Sequence, residues 1–115
     1  MVNLANNYLR FLLQVHRTTK TGRLFDLEPV CSRLLDEIAI KDQHESPLTV
    51  TALMSLSHIA SPATLHRKMQ QLIQVGLVEL AIDADNKRSK FVRISKKGHR
   101  RYQTLSALMA DASAA

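Results

Sequence analysis

Apolar side chains recur along this chain first at helical spacing, then at every second position, then at helical spacing again. From Asn3 to about Thr18, Leu4, Tyr8, Phe11, Leu12 and Val15 fall at i, i+4, i+7, i+8 and i+11, one face of a helix with Asn3 as its expected N-cap. Leu9 and Leu13 widen that arc beyond what a single small domain covers, leaving a narrow polar strip of Asn6, Asn7, Arg10, Gln14 and Arg17. Thr18 to Arg23 reads as a loop. A second helix is expected from Pro29, since proline suits the first helical position, with Val30, Leu34, Leu35 and Ile38 turned inward. The polar run Lys41 to Pro47 breaks the pattern. A short third helix, capped by Thr49, carries Val50, Leu53, Met54 and Leu56 and leads into a tight Ser57-His58-Ile59-Ala60 connection, where His58 suits a left-handed turn position.

The fourth helix has the clearest start, Ser61 at the cap and Pro62 behind it, and Gly76 is its stop. Leu65, Met69, Leu72 and Ile73 form its inward stripe, while Thr64, Arg67, Gln70, Gln71 and Gln74 face outward around Ala63. Neutral amides and hydroxyls in place of Glu/Lys pairs suit hydrogen bonding to base edges. After Gly76 the period becomes two: Val78, Leu80 and Ile82, the turn Asp83-Ala84-Asp85-Asn86, then Val92 and Ile94, which predicts a β-hairpin. Ser95 caps a last helix with Tyr102, Leu105, Leu108, Met109 and Ala112 on one face, and the tail after Asp111 is expected to fray.

Two helices joined by a tight turn, a hairpin with a basic tip and a basic helix start describe a winged helix-turn-helix. The fold expected is mainly α with a small β-hairpin wing, in one domain over 1–115. Its core runs from about 28 to 97 with the wing at 77–95, and the helices at about 1–20 and 98–112 form a dimerisation region.

Charge sharpens this picture. The net charge is +6, and Ser61 to Gln103 holds ten basic residues against three acidic ones, so that segment alone is +7. A localised basic patch is the electrostatic footprint of nucleic-acid binding. A helix fits the major groove of B-DNA, about 12 Å wide, and a basic hairpin reaches the neighbouring minor groove. Ala63, Thr64, His66 and Arg67 are therefore expected at base edges, Ser61, Lys68 and Gln71 nearer phosphate, and Lys87, Arg88 and Lys90 on the wing. Double-stranded DNA is the expected partner, with a second copy of the chain joined through the first and last helices.

The run Ser61-Pro62-Ala63-Thr64-Leu65-His66-Arg67, then Leu72, Gly76-Leu77-Val78, then Asp83 through Arg88 to Gly98, resembles the DNA-binding half of the multiple-antibiotic-resistance regulator (MarR) family over roughly Leu48 to Leu105. The resemblance implies a dimeric bacterial transcription regulator with its fourth helix in the major groove. Arg88 matches the wing arginine that enters the minor groove and Asp83 the first wing acid. Asn86 stands where the family usually has a second aspartate that orients the arginine. Family members usually continue into a longer C-terminal helical region, and this chain stops at Ala115, so a reduced or differently built dimer interface is expected. Family sensors bind aromatic acids or titrate a cysteine, and the sequence declares no effector pocket.

Other chemistries find little support. No apolar run approaches the roughly 20 residues of a membrane span, and no secretory signal is legible, so a cytoplasmic protein without membrane contact is expected. The single Cys31 supplies no disulfide, and an inert, semi-buried thiol is the reading preferred over a redox sensor. No two of the five histidines stand at i, i+3 or i+4, so no metal site is expected, nor any other cofactor. Without a phosphate loop or paired catalytic carboxylates, the sequence points away from an enzyme. The competing classes are a winged-helix protein-docking module and a plasmid- or phage-replication DNA-binding protein; a docking module need not gather its charge on helix and wing.

Overall fold

Each helix begins where a side chain can take up the free N–H groups of its first turn. The computed structural model describes residues 6–19 and 27–114. Helix α1 (Asn7–Thr19) is capped by Asn6, whose Oδ1 accepts the Leu9 N–H at 3.1 Å; the expected cap Asn3 and its neighbour Leu4 lie outside the described residues, as does most of the Thr18–Arg23 loop. Helix α2 (Pro29–Gln43) starts at Pro29 as expected, with Glu28 accepting the Val30 N–H at 2.6 Å. A two-residue strand β1 (Leu48–Thr49) runs into α3 (Val50–Met54), where the Thr49 hydroxyl accepts the Ala52 N–H. Ser61 caps α4 (Pro62–Gln74), β2 (Val78–Ile82) and β3 (Lys90–Ile94) form the hairpin, and α5 spans Lys96–Ala114.

The chain divides into two compact units, Glu28–Gly98 and a second made of 1–27 with 99–115. In Glu28–Gly98 the three strands form an antiparallel sheet ordered β1-β3-β2, with Leu48 opposite Val92 and Val78 opposite Ile94. Its core joins Leu34, Leu35 and Ile38 of α2 to Leu53 of α3, Leu65, Met69 and Leu72 of α4, and Leu77, Val78, Val92 and Ile94 around the sheet. Cys31, rather than Val30, completes the buried face of α2.

The stop of α4 is built from backbone. Gly76, at φ +82°, lets its own N–H reach Ile73 O and the Leu77 N–H reach Leu72 O, both at 3.0 Å, the pairing of a Schellman motif closed by the buried Leu72 and Leu77. The same device ends α2, where Glu45 sits at φ 57°, the one non-glycine left-handed residue among those described. His58, expected to adopt that conformation, does not. Start and stop then meet: the Ser95 hydroxyl donates to Gly76 O at 2.6 Å and accepts the Gly98 N–H, and Lys97 Nζ donates to Val75 O. Gly98 allows the approach, because a Cβ there would lie 2.4 Å from Leu77 O.

In the other unit, Arg10 Nε donates to Ala112 O at 2.8 Å, Tyr8 and Phe11 pack edge to face, and the Arg101 guanidinium lies 5.2 Å over the Tyr102 ring. Two expectations change here. Helix α5 continues through Ala114 instead of fraying after Asp111, with Ala112 buried. On α1 the residues left exposed are Tyr8, Leu9 and Leu12, whereas Leu13 is half-buried; the arc therefore opens about one position away from the Leu9–Leu13 edge the spacing suggested.

Candidate nucleic-acid interface

Helix α4 keeps its apolar stripe inside and presents Ala63, His66, Arg67, Gln70, Gln71 and Gln74 to solvent. Its first turn carries a short polar chain: Ser61 Oγ donates to Thr64 Oγ1 at 3.1 Å, and Arg67 Nη2 approaches the same hydroxyl at 3.5 Å. Such a contact aims the guanidinium toward the N-terminal end of the helix, where helix-turn-helix proteins touch base edges. Ser61 spends its oxygen on the Thr64 N–H as well, so its part is to hold the first turn.

Lys68, expected near phosphate, is paired within the protein. Its Nζ lies 2.6 Å from Glu28 Oε2, tying the middle of α4 to the start of α2, and its side chain is only 18% exposed. That ammonium, with help from the Val30 N–H, holds the Glu28 carboxyl below its ordinary range. Beside it, the Cys31 thiol donates to Gln71 Oε1 at 3.5 Å. Burial first, and the Glu28 charge second, push the thiol's pKa up, which is the opposite of what a reactive thiolate needs. Cys31 is thus a packed thiol, and Gln71 keeps both amide N–H groups for a partner.

The wing turn is stiffened by its own side chains. Asp83 Oδ1 accepts the Asp85 N–H at 2.9 Å and Asn86 Oδ1 accepts the Arg88 N–H at 3.1 Å, two Asx turns in succession. Asn86 therefore fixes the backbone of Arg88, and the Arg88 side chain makes no hydrogen bond or ion pair among the described residues, as is true of Lys87 and Lys90. Arg93, by contrast, is spoken for. Its Nε and Nη2 both reach Asp42 Oδ1, at 3.0 and 2.7 Å, while Asp42 Oδ2 takes the Ile94 N–H at 2.8 Å beyond the end of β1. Asp42 so anchors the wing's inner strand to the last turn of α2.

Between α4, the β1–α3 junction and the wing runs an open groove of about 350 Å³. It brings together three of the expected residues, His66, Arg88 and Lys90, with Thr49, Thr51 and Gln70, over a floor that includes Met69 and Leu80. Thr49 and Thr51 were not legible as site residues, because only the pairing of β1 with β3 carries them to the wing. Arg67, Ala63 and Lys87 are exposed outside this groove. Among the described residues no cluster of three or more His, Cys, Asp or Glu could hold a metal ion.

The sequence matches no protein-family profile and no curated protein. Solved structures do match. S. aureus MepR in its complex with DNA superposes with a TM-score of 0.64 at 16% identity, over 92% of this chain and 78% of that one. Transcriptional regulator Tm0710 from Thermotoga maritima gives 0.62 at 19% identity, over 90% and 73%, and MarR gives 0.58 at 19% identity, over 92% and 75%. These are MarR-family transcriptional regulators, and at such identities what is shared is the architecture: mostly helical, with a small antiparallel sheet. The chain therefore has the winged-helix fold of the MarR-family regulators.

Proposed function

We propose that this chain is a sequence-specific, double-stranded-DNA-binding transcription regulator of MarR type. The observation that carries the reading is the sorting of cations. Lys68 and Arg93 are consumed by Glu28 and Asp42, whereas Arg88, Lys87 and Lys90 on the wing keep their side chains unpaired among the described residues, with His66, Arg67, Gln70 and Gln74 exposed on α4. Anionic, groove-bearing duplex fits both sets: α4 enters the major groove with Arg67 at a base edge, and Arg88 enters the adjacent minor groove. The solved complex of S. aureus MepR with DNA supports this use of the fold.

Two copies complete the binder in this reading, joined through Tyr8, Leu9 and Leu12 of α1 and Met109 of α5, all exposed apolar residues. Two-fold symmetry places two α4 helices about one DNA turn, roughly 34 Å, apart on a palindromic site. The reading assigns no catalytic activity and no effector. It places the chain in the cytoplasm; no helix among the described residues is long and apolar enough to cross a membrane.

Selection from random-sequence duplexes tests it. The expected product is a palindromic consensus, and Arg67→Ala should weaken binding to that duplex by about 1–3 kcal/mol more than to unselected DNA. Recovery of no consensus, or equal losses on both duplexes, contradicts the assignment of α4 to base reading.

A further inference from the structure

Gln70, Gln71 and Gln74 all stand on the exposed face of α4, but they are not equivalent. Ala63, Arg67, Gln70, Gln71 and Gln74 follow one another at i, i+4, i+7, i+8 and i+11, so Gln71 lies one turn beyond Arg67 on the same outward stripe. Gln70 and Gln74 make no side-chain hydrogen bond among the described residues. The Gln71 amide is tied down: its Oε1 accepts the thiol proton of Cys31, a residue of α2 only 5% exposed, at 3.5 Å. We infer that Cys31 is a positioning residue for base reading: by holding Gln71 Oε1 against α2 it turns the amide N–H2 outward, to an acceptor on the major-groove edge of guanine. The inference rests on the DNA-binding reading and deepens it to a base preference. It moves Gln71 from the phosphate contact expected of it to a base edge.

The preference follows from what each base shows in the major groove. Adenine pairs an acceptor, N7, with a donor, the N6 amine, and a glutamine reads it when Oε1 and Nε2 face the base side by side. Gln70 and Gln74 are free to do so; Gln71, with Oε1 turned to α2, is not. Guanine shows two acceptors, O6 and N7, to an amide that leads with its N–H2, whereas cytosine shows it a donor. Three features hold the amide this way round. Both Glu28 oxygens beside the thiol already have partners, Oε2 in Lys68 Nζ and Oε1 in the Val30 N–H, which leaves Gln71 Oε1 to take the thiol's single proton. Burial, aided by the Glu28 charge, keeps that proton on the sulfur. Reversing the amide would set its N–H2 against the S–H, donor against donor.

Fluorescence anisotropy on a selected duplex, with each of the four base pairs placed in turn at every half-site position, tests the assignment. The position whose preference Gln71→Ala removes is the one Gln71 reads, and there the wild type should favour guanine over adenine by about three- to tenfold. Cys31→Ala and Cys31→Val remove the donor with a smaller and a larger side chain. Either should bring that ratio to about one, since the freed amide can turn to pair with adenine. Cys31→Ser keeps a donor and should restore the guanine preference. Gln71→Glu, which offers acceptors only, should shift it to cytosine. A purely structural part for Cys31 would weaken all duplexes alike and leave the ratio intact; that result, in either Cys31 variant with native circular dichroism, overturns the inference. So does a wild-type preference for adenine at that position, or an equal loss on every duplex in Gln71→Ala. Failure of the wild type to select or bind any duplex refutes the DNA-binding reading and this inference with it.

Discussion

The two units of this chain differ in how much apolar surface they bury. In Glu28–Gly98, α2, α3, α4 and the sheet enclose every buried apolar residue of the described chain except Ala112, and the residues left outside on α4 and the wing tip are mostly polar or cationic. In the unit of α1 and the greater part of α5, Tyr8 is 66% exposed, Met109 57%, Leu9 48% and Leu12 42%. Glu28–Gly98 also leaves Ile40, Val75, Leu80 and Ile82 exposed, but it does so around a core, whereas the other unit buries only Ala112 among its described apolar residues. A unit with a core and a cationic face suits an anionic, hydrated partner, whereas apolar side chains exposed on a unit with so little core suit a second copy of the chain.

The largest expected effect strikes the apolar unit. Leu9 and Leu12 still hold about half of the roughly 2 kcal/mol that full burial of a leucine yields, so four such side chains would contribute about 4 kcal/mol to the proposed two-fold dimer. A Leu9→Glu, Leu12→Glu double variant should raise the dimer dissociation constant by about a thousandfold in sedimentation equilibrium while keeping its helical circular dichroism. A variant that still sediments as a dimer would move the interface elsewhere.

A smaller effect is expected in the unit with the core. Gly98→Ala places a methyl 2.4 Å from Leu77 O and 2.7 Å from Ile94 Cγ2, and the start of α5 must move away from the stop of α4. Urea denaturation should show a loss of about 1–3 kcal/mol at unchanged dimer affinity. An unaltered midpoint would mean that this junction is looser than its hydrogen bonds indicate.

The sequence made the fold legible wherever a signal was local. Ser61-Pro62, Thr49, Pro29, Gly76 and Ser95 act within four residues of themselves, and each stands where its chemistry placed it. What escaped depends on partners distant along the chain. Strand β1 is two residues long and exists by pairing with Phe91 and Val92. Asp42 finds Arg93 and Ile94 across 51 and 52 positions, and Lys68 finds Glu28, so two cations counted toward the basic face are withdrawn from it by contacts no spacing rule reveals. The exposed edge of α1, Leu9 and Leu12 in place of Leu9 and Leu13, is hidden from the sequence for a related reason: periodicity defines an arc, and which part of it stays uncovered depends on what packs against it. Glu45 in the left-handed region is opaque too, since glycine is the residue that advertises such a stop.

The smallest effect is on pH. Glu28 is held below its ordinary 4.5, so its pairing with Lys68 stabilises the fold above that pH and is lost as pH falls through the lowered value. Cys31 is raised above 9.0, so the thiol's contribution is complete below that pH and is lost as pH rises through the raised value. Glu28→Gln should accordingly cost about half a kcal/mol or less at pH 7, because the Glu28 end of the pair is open to solvent and screened. Cys31 should react with iodoacetamide only as fast as the fold opens; rapid alkylation at neutral pH would show a thiolate the burial of Cys31 does not allow.

The salt dependence of duplex binding tests the central claim most directly, because it counts the cations that the structure leaves free. With Lys68 and Arg93 occupied, Lys87, Arg88 and Lys90 from each of two copies, aided by the exposed cations of α4 and α5, give about four to eight phosphate contacts. The logarithm of the association constant plotted against that of salt concentration should then fall with a slope of about −4 to −7. A flat line, or no binding at low salt, would contradict the account.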